Sequence, residues 1–146
     1  KVKLHMVGKL QTNKVKFAVQ IFDYIHSVDS EKLARKIADE QKKINKKIKI
    51  FLQVNIGDEN QKTGINKKDV GQLVSYCKEI GLDLIGLMCI PPANIDPERY
   101  FEEMNKLNKN LDLSELSMGM SSDFLKAIKH FSTYVRIGSG IFGKRS

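Results

Sequence analysis

The chain has 146 residues, of which 41% are hydrophobic and 29% charged, and its formal net charge is +8 at pH 7. This length and apolar content suit one domain with one core. No apolar run reaches about 18 residues and no signal-peptide core opens the sequence, so we expect neither a membrane-spanning helix nor a secretory leader. Cys77 and Cys89 fall in apolar segments and are expected to be reduced core thiols of a cytoplasmic protein.

The positive charge raises the alternative of a nucleic-acid-binding module, which would show salt-sensitive retention on heparin or DNA. The lysines are scattered, however, and are interleaved with acidic residues. No aromatic-and-basic strand motif accompanies them. We therefore interpret the charge as solvated helix faces and expect no nucleic-acid partner.

Strand-like apolar segments alternate with helical patterns along the whole chain, as in βα units stacked on a parallel sheet. Such a sheet is covered on both faces, which matches the continuously apolar run IFLQVNI. The predicted strands, in chain order, are Lys3–Val7, Asp23–Ser27, Lys49–Asn55, Leu84–Cys89, Glu115–Met118 and Tyr134–Ile137.

The intervening helices have clear start and stop signals. Asp29 or Ser30 is expected to cap the segment EKLARKIADEQKK. Asn66 is expected to cap a second helix, which Gly81 ends. A third helix is expected to begin at the segment DPE, with Asp96 as the cap and a proline at the first helical position.

This pattern gives about six βα units, whereas eight close the common barrel. We therefore expect one domain, residues 1–146, that forms a partial barrel (strands three to eight) and lacks two N-terminal units. An open six-stranded sheet would leave its first strand as an unprotected edge. In the partial barrel, the edges at Lys3–Val7 and Tyr134–Ile137 are expected to invite association with another chain.

Two turns of small residues in the last third of the chain indicate a phosphate site. The turn at 119–122 is expected to open a helix capped by Ser121 or Ser122, and the turn at 138–140 follows the last strand. Backbone N–H groups beside a helix N-terminus bind phosphate well. In (β/α) barrels the loops after strands seven and eight commonly build such a site. Asp123 would repel the anion unless its side chain points away.

Arg136 lies in an otherwise apolar strand, close to the second turn. A buried guanidinium needs a partner, so we expect it to face an acceptor in the site. Beside a heteroaromatic nitrogen, it would hold that nitrogen unprotonated. The alternative is a structural pair with a carboxylate inside the barrel. For His5, in the first strand, a satisfied interior histidine and a ligand contact are both open.

Two further loops follow predicted strands. The loop GDENQKTG offers Asn55, Asn60 and Lys62 towards a site, although surface loops are polar in any case. The exit at Pro91 and Pro92 either shapes a pocket wall or merely turns the chain.

Taken together, five ordered segments resemble the YggS/PROSC family of pyridoxal-phosphate homeostasis proteins: HMVGKLQTNK, VNIGDENQKTGI, GLMCIPP, LSMGMSSD and VRIGSGIFG. The resemblance runs from residue 3 to residue 143. It implies an α/β fold, the (β/α)8 TIM barrel of fold type III related to the N-terminal domain of alanine racemase. It also implies a pyridoxal 5′-phosphate carrier or regulator of vitamin-B6 and amino-acid balance, without established catalytic turnover. The alternative is an alanine racemase-like enzyme, which needs a tyrosine from a second domain.

The resemblance also implies the cofactor contacts. The phosphate would lie on Ser121 and on backbone donors of the second turn, and Arg136 would face the pyridine nitrogen. Ser117 and Met120 would line the pocket, with His5 near its floor. The full set of implied cofactor residues is His5, Ser117, Met120, Ser121, Arg136, Gly138 and Ser139.

Three features of the sequence depart from the family pattern. Leu4 stands where an aromatic residue usually precedes the histidine. The AVSK-like segment with the Schiff-base lysine and a GENY-like segment do not occur in this sequence. We therefore assign no catalytic residue and no metal ligand, and expect weak or absent cofactor binding without covalent attachment.

Overall fold

The computed structural model describes residues 1–60 and 63–146. The strands are His5–Met6 (β1), Tyr24–Val28 (β2), Lys49–Asn55 (β3), Ile65–Asn66 (β4), Asp83–Met88 (β5), Glu115–Met120 (β6) and Tyr134–Arg136 (β7). The α-helices are Val15–Ile21 (α1), Glu31–Lys43 (α2), Val70–Glu79 (α3), Glu98–Asn110 (α4), Phe124–Lys129 (α5) and Ser139–Phe142 (α6). Short 3₁₀ turns at Thr12–Lys14 and Lys67–Asp69 lead into α1 and α3.

The strands form one sheet in the order β1-β2-β3-β5-β6-β7, with the short β4 paired to β3. Every pairing between the described strands is parallel. Each long crossover carries a helix, as parallel neighbours require. The predicted α/β architecture of a partial barrel is confirmed. Strands β1 and β7 end the sheet order, at the two edges predicted from the sequence.

The two faces of the sheet differ, because successive side chains of a strand point to opposite sides. Ile50 and Leu52 of β3 belong to the main hydrophobic core. That core includes Leu33, Ile37, Leu73, Phe101 and Met104 from the helices, and we call this side the helix face. Phe51 of β3 and Met88 of β5 are equally buried but lie outside that core. They lie on the opposite side, which we call the interior face.

The helix ends follow the predicted signals in part. Ser30, rather than Asp29, caps α2, since its Oγ accepts a hydrogen bond from the backbone N–H of Leu33 at 3.1 Å. Gly81 follows α3 with a φ of +79°. The expected cap at Asn66 is wrong, because a 3₁₀ turn intervenes and no side-chain bond is formed there. Asp96 accepts from the N–H of Glu98 at 3.2 Å, but α4 begins at Glu98 with Pro97 at the N-cap position, one residue later than expected.

Gly86 of β5 allows β5 and β6 to approach closely. A Cβ at this position would collide with the backbone carbonyl of Glu115 on β6. The pairing of β5 with β6 therefore requires glycine at position 86. Within the described ranges, no helix is long and apolar enough to cross a membrane.

Candidate functional site

A cavity of about 560 Å³ opens at the carboxyl ends of the strands. This volume falls in the range of about 300–1,000 Å³ that small-molecule sites occupy. Its walls come from β1, β2, β6 and β7 and from the residues that follow β1, β5 and β7. The lining residues are His5, Val7, Gly8, His26, Ile90, Met120, Tyr134, Val135, Arg136, Ile137, Gly138 and Arg145.

Arg136 is the fixed cation of this cavity. Its Nη1 donates to Ser117 Oγ at 2.7 Å, and its Nη2 donates to the backbone carbonyl of Cys89 at 2.9 Å. Burial lowers the pKa of Arg136, but a guanidinium stays charged at neutral pH. No ion pair among the described residues includes Arg136. The alternative, in which Arg136 pairs with a structural carboxylate, is therefore wrong for the described part of the chain. The two hydrogen-bond partners of Arg136 are neutral groups.

Two histidines extend this contact across the interior face. Ser117 Oγ lies 2.8 Å from His26 Nδ1, and His26 Nε2 lies 2.9 Å from His5 Nδ1. Burial, and then the charges of His5 and Arg136, lower the pKa of His26 to about 3. Burial also lowers the pKa of His5, which the nearby Asp23 carboxylate partly opposes. Both imidazoles are therefore neutral at neutral pH.

Aromatic rings surround these histidines. His5 stacks on Tyr24 with ring centroids 4.0 Å apart, and His26 stacks on Phe51 at 4.3 Å. Tyr134 meets Phe51 edge-on at 5.4 Å, and its hydroxyl donates to the Tyr24 hydroxyl at 3.5 Å. This hydrogen bond and burial raise the pKa of Tyr134 to about 12. Of these rings, His5, His26 and Tyr134 line the cavity, which therefore has uncharged aromatic walls in addition to the guanidinium.

Sequence reasoning missed His26 and Tyr134 as cavity residues. A signal was present in the alternation of side chains along a strand. Tyr24 and His26 are two residues apart on β2, as are Tyr134 and Arg136 on β7. Residues at this spacing point to the same face of a sheet. The pair on β7 therefore places Tyr134 beside Arg136, and the similar pair on β2 indicates that His26 faces the same side.

The first of the two small-residue turns, at 119–122, differs from its prediction; we call it and the turn at 138–140 the tail turns. β6 continues to Met120 and α5 begins at Phe124, so no helix opens at 119–122 and neither Ser121 nor Ser122 caps one. Asp123 takes the N-cap position, and its Oδ1 accepts from the Met120 N–H at 2.7 Å. A carboxylate accepts such a bond more strongly than a hydroxyl does, which explains why Asp123 closes the turn.

Ser121 joins the two tail turns. Its Oγ accepts a hydrogen bond from the backbone N–H of Gly140 at 3.0 Å. A Cβ at Gly140 would lie 3.3 Å from this oxygen, so glycine lets the two segments approach without a tight contact. The hydroxyl and the backbone of the second turn thus lie side by side, directly after the cavity residues Met120 and Gly138.

Four of the implied cofactor residues line the cavity: His5, Met120, Arg136 and Gly138. Ser117 does not line it, contrary to expectation, because it is fully buried behind Arg136 and His26. Ser121 and Ser139 belong to the tail turns beside the cavity. Their contact with a phosphate stays a prediction.

The described residues of the loop GDENQKTG and the exit at Pro91 and Pro92, which were also considered as site candidates, do not line this cavity. Asn55 closes its own loop, since its Oδ1 accepts from the Glu59 N–H at 3.1 Å and its Nδ2 donates to the Glu59 carbonyl at 2.8 Å. Asn60 is exposed, and Lys62 lies outside the described residues. Pro91 and Pro92 line a second cavity of about 270 Å³, which shares Arg136 with the first.

Comparisons with known proteins agree with this architecture. The family model described as alanine racemase, N-terminal domain, matches residues 1–146. A pyridoxal phosphate homeostasis protein of Aquifex aeolicus is 38% identical over 151 residues, which cover 97% of this chain and 66% of that protein. A protein of the same name from Escherichia coli is 34% identical, over 97% of this chain and 64% of its own length. The chain thus spans about two thirds of these curated relatives.

The solved structures of PipY from Synechococcus elongatus superimpose closely. The form without pyridoxal phosphate gives a TM-score of 0.92 at 32% identity, over 97% of this chain and 71% of PipY. The form with pyridoxal phosphate bound gives 0.90 at 31% identity over the same shares. The alanine racemase of Clostridium difficile, with a TM-score of 0.73 and 14% identity over 99% of this chain and 40% of its own, shares the fold. The chain therefore belongs to the alanine racemase N-terminal domain family, and the YggS/PROSC resemblance of its motifs is confirmed.

Proposed function

We propose that this chain binds pyridoxal 5′-phosphate in the 560 Å³ cavity, as a carrier or regulator in vitamin-B6 and amino-acid homeostasis. The names of the curated relatives and the pyridoxal phosphate-bound form of PipY support this assignment. The residues of the cavity supply what such a ligand needs: a cation, polar donors and an aromatic wall.

The position of Arg136 carries the proposal. Its guanidinium lines the cavity and is held from behind by Ser117 and the Cys89 carbonyl. A guanidinium only donates hydrogen bonds and keeps its own protons. Facing a pyridine nitrogen, it stabilises the unprotonated form of that nitrogen. This weakens the ring as an electron sink, which suits carriage of the cofactor better than turnover.

The tail turns are the proposed phosphate side of the site. The Ser121 hydroxyl and the backbone at Gly138 and Ser139 provide neutral donors next to the cavity. Arg145 lines the same cavity and adds a positive charge. Asp123 is engaged by the Met120 N–H, so its carboxylate is tied to its own turn.

Binding in this chain is proposed to be noncovalent. When bound, pyridoxal phosphate supplies an aldehyde that condenses with amines and a ring that takes up electrons. No lysine among the described residues lines the cavity. The chain's own residues therefore bind and orient the ligand, with Arg136 at the ring and the tail turns at the phosphate.

A titration of the chain with pyridoxal phosphate, followed by absorbance and by equilibrium dialysis, tests the proposal. Saturable binding is expected, and Arg136→Met should weaken it about ten- to hundred-fold, because a charge-assisted hydrogen bond is lost. Arg35→Met is the matched control, since Arg35 lies far from the cavity against Tyr76 on α3. Absence of saturable binding, or equal losses in both variants, would contradict the proposal.

Two further measurements address the covalent and enzymatic alternatives. Treatment of the complex with borohydride is expected to leave no lysine adduct, as judged by mass spectrometry. An assay for racemisation of alanine is expected to give no rate above that of free pyridoxal phosphate. A lysine adduct would contradict noncovalent binding, and racemisation above that rate would favour the racemase-like alternative.

We also propose a cytoplasmic location, which is supported by two free, buried cysteines whose pKa values are raised by burial to about 12 each. The partner is proposed to be a small molecule rather than a nucleic acid or a membrane. Edge strands present unpaired backbone groups, so association with another chain is proposed through β1 and β7. Light scattering would detect it as a mass above that of a monomer.

A further inference from the structure

The hydrogen bonds behind the cavity form an unbroken series from Arg136 to His5. In order, the series contains Arg136 Nη1, Ser117 Oγ, both ring nitrogens of His26, and His5 Nδ1. Ser117 and His26 are both buried, with 0% and 1% of their surfaces exposed. Ser117 does not line the cavity, so its hydroxyl cannot exchange its partners for water without opening the fold. The direction of each bond then follows from the atoms present.

The guanidinium sets the direction at one end. Arg136 can only donate, so Ser117 Oγ is the acceptor of that bond. The Ser117 hydroxyl proton then needs an acceptor of its own. Among the described residues, the other partner of this oxygen is His26 Nδ1. If His26 Nδ1 carried a proton, the Ser117 hydroxyl would be left buried without an acceptor, which is costly.

The remaining bonds follow in sequence. His26 is neutral and accepts at Nδ1, so its proton lies on Nε2 and is donated to His5 Nδ1. His5 is neutral as well and accepts at Nδ1, so its own proton lies on Nε2. Nε2 is the nitrogen that the series leaves for other contacts, and His5 lines the cavity.

We propose that Ser117 and His26 are positioning residues that fix the proton of His5 on Nε2, so that His5 presents a hydrogen-bond donor to an oxygen of the cavity ligand. The identity of that ligand as pyridoxal phosphate rests on the proposed function. The proton positions do not, because they follow from Arg136 and the buried hydroxyl. The cavity therefore has a second donor, neutral and separate from the guanidinium.

The proton positions can be measured directly in the ligand-free protein. Long-range ¹H–¹⁵N correlation spectra of the ¹⁵N-histidine-labelled chain at pH 7.5 distinguish the two neutral forms of each ring. We expect the Nε2-protonated form for both His5 and His26, with His130 as the internal reference outside the series. An Nδ1-protonated form at either residue would overturn the proposal, and no variant is needed for this result.

Ser117→Ala tests the control of His26 by the hydroxyl. We expect a mixture of the two neutral forms at His26 and His5, because the donor to His26 Nδ1 is gone. Ser117→Thr keeps a hydroxyl and should restore the single form. Ser27→Ala is the matched control, since Ser27 is a buried neighbour of His26 whose hydroxyl has no hydrogen-bond partner among the described residues. Unchanged ring signals in Ser117→Ala, or equal changes in Ser27→Ala, would contradict the role.

Addition of pyridoxal phosphate, with inorganic phosphate as a second probe, separates this inference from the proposed function. A saturable shift of the His5 Nε2 signal by pyridoxal phosphate supports both. Correct proton positions with no shift on adding pyridoxal phosphate count against the ligand assignment and leave the proton positions established. Nδ1 protonation combined with tight pyridoxal phosphate binding refutes the inference and leaves the ligand assignment intact.

Discussion

The helix face and the interior face of the same sheet are both buried, but they are built differently. Ile50 and Leu52 on the helix face pack against aliphatic and aromatic residues of the helices. The interior face holds His26, Ser117 and Arg136 in one series of hydrogen bonds. Burial of apolar surface stabilises a fold directly, whereas a buried hydrogen bond contributes only about 0.5–1.5 kcal/mol, because it replaces a hydrogen bond to water.

This difference separates stability from binding. The helix face holds the main hydrophobic core, whereas the interior face adds a few buried apolar side chains and holds polar groups in fixed positions. Variants of the helix face should therefore change mainly the free energy of unfolding, whereas variants of the interior face should change ligand affinity and the pH dependence of stability.

The largest effect is expected where the two faces depend on one backbone contact. Gly86→Ala places a Cβ against the Glu115 carbonyl, and backbone atoms cannot move aside as a flexible side chain can. We expect a loss of more than about 4 kcal/mol, enough to prevent folding. Circular dichroism and urea unfolding measure it. Gly71→Ala in α3 is the control, because its nearest contact is 4.0 Å away and alanine favours a helix. A folded, cooperative Gly86→Ala protein would contradict this.

Leu52→Ala tests the helix face alone. The side chain is 0% exposed, and its truncation should lower the free energy of unfolding by about 2–5 kcal/mol. Pyridoxal phosphate affinity of the folded fraction should stay unchanged. Leu125→Ala, at a position 66% exposed, should have little effect on either. A loss of affinity in Leu52→Ala without a loss of stability would show that the faces are not separable.

Acid unfolding tests the interior face. Burial, His5 and Arg136 lower the pKa of His26 to about 3, below its ordinary value of 6.5. The unfolded chain therefore binds more protons, so this contribution to stability is complete above pH 6.5 and is lost as the pH falls towards 3. The slope is at most about 1.4 kcal/mol per pH unit for one histidine. Urea unfolding between pH 6.5 and 4.5 measures it, above the range in which most carboxylates titrate.

His26→Phe should reduce this slope, because it removes the titrating group and keeps a ring against Phe51. Ser27→Ala, a buried change that removes no titrating group, should leave the slope in place. Equal slopes in the wild type and in His26→Phe would show that His26 does not carry the acid sensitivity.

The sequence was sufficient for the main elements. The six main strands and helix α2 follow from apolar periodicity, which a parallel sheet with covering helices imposes on every unit. The two-residue strand β4 was missed, since pairing of so short a segment depends on its neighbour β3 rather than on its own pattern. The expected caps at Asn66, Ser121 and Ser122 failed for a similar reason. Several polar residues competed for each position, and only the folded geometry selects among them.

The candidate site was predictable in part. Arg136 stood out because a charge in an apolar strand needs an explanation. Its hydrogen bonds to Ser117 and to the Cys89 carbonyl could not be predicted, because these groups come from other parts of the sheet and nothing in the sequence pairs them with Arg136. The spacing of Tyr24 and His26 indicates which face His26 shares, but its hydrogen-bond partners become visible only when β1 and β6 bring His5 and Ser117 to its two nitrogens.

The rates at which a thiol reagent labels the two buried cysteines report local opening at two places in the fold. Burial raises the pKa of Cys77 and of Cys89 to about 12 each, and a thiol reagent attacks the thiolate, so labelling waits for local opening. Cys77 lies on α3, whereas the carbonyl of Cys89 is bonded to Arg136. We therefore expect a ligand that holds Arg136 in place to slow the labelling of Cys89 more than that of Cys77. The ratio of the two rates would then report occupancy of the cavity without any probe attached to the ligand.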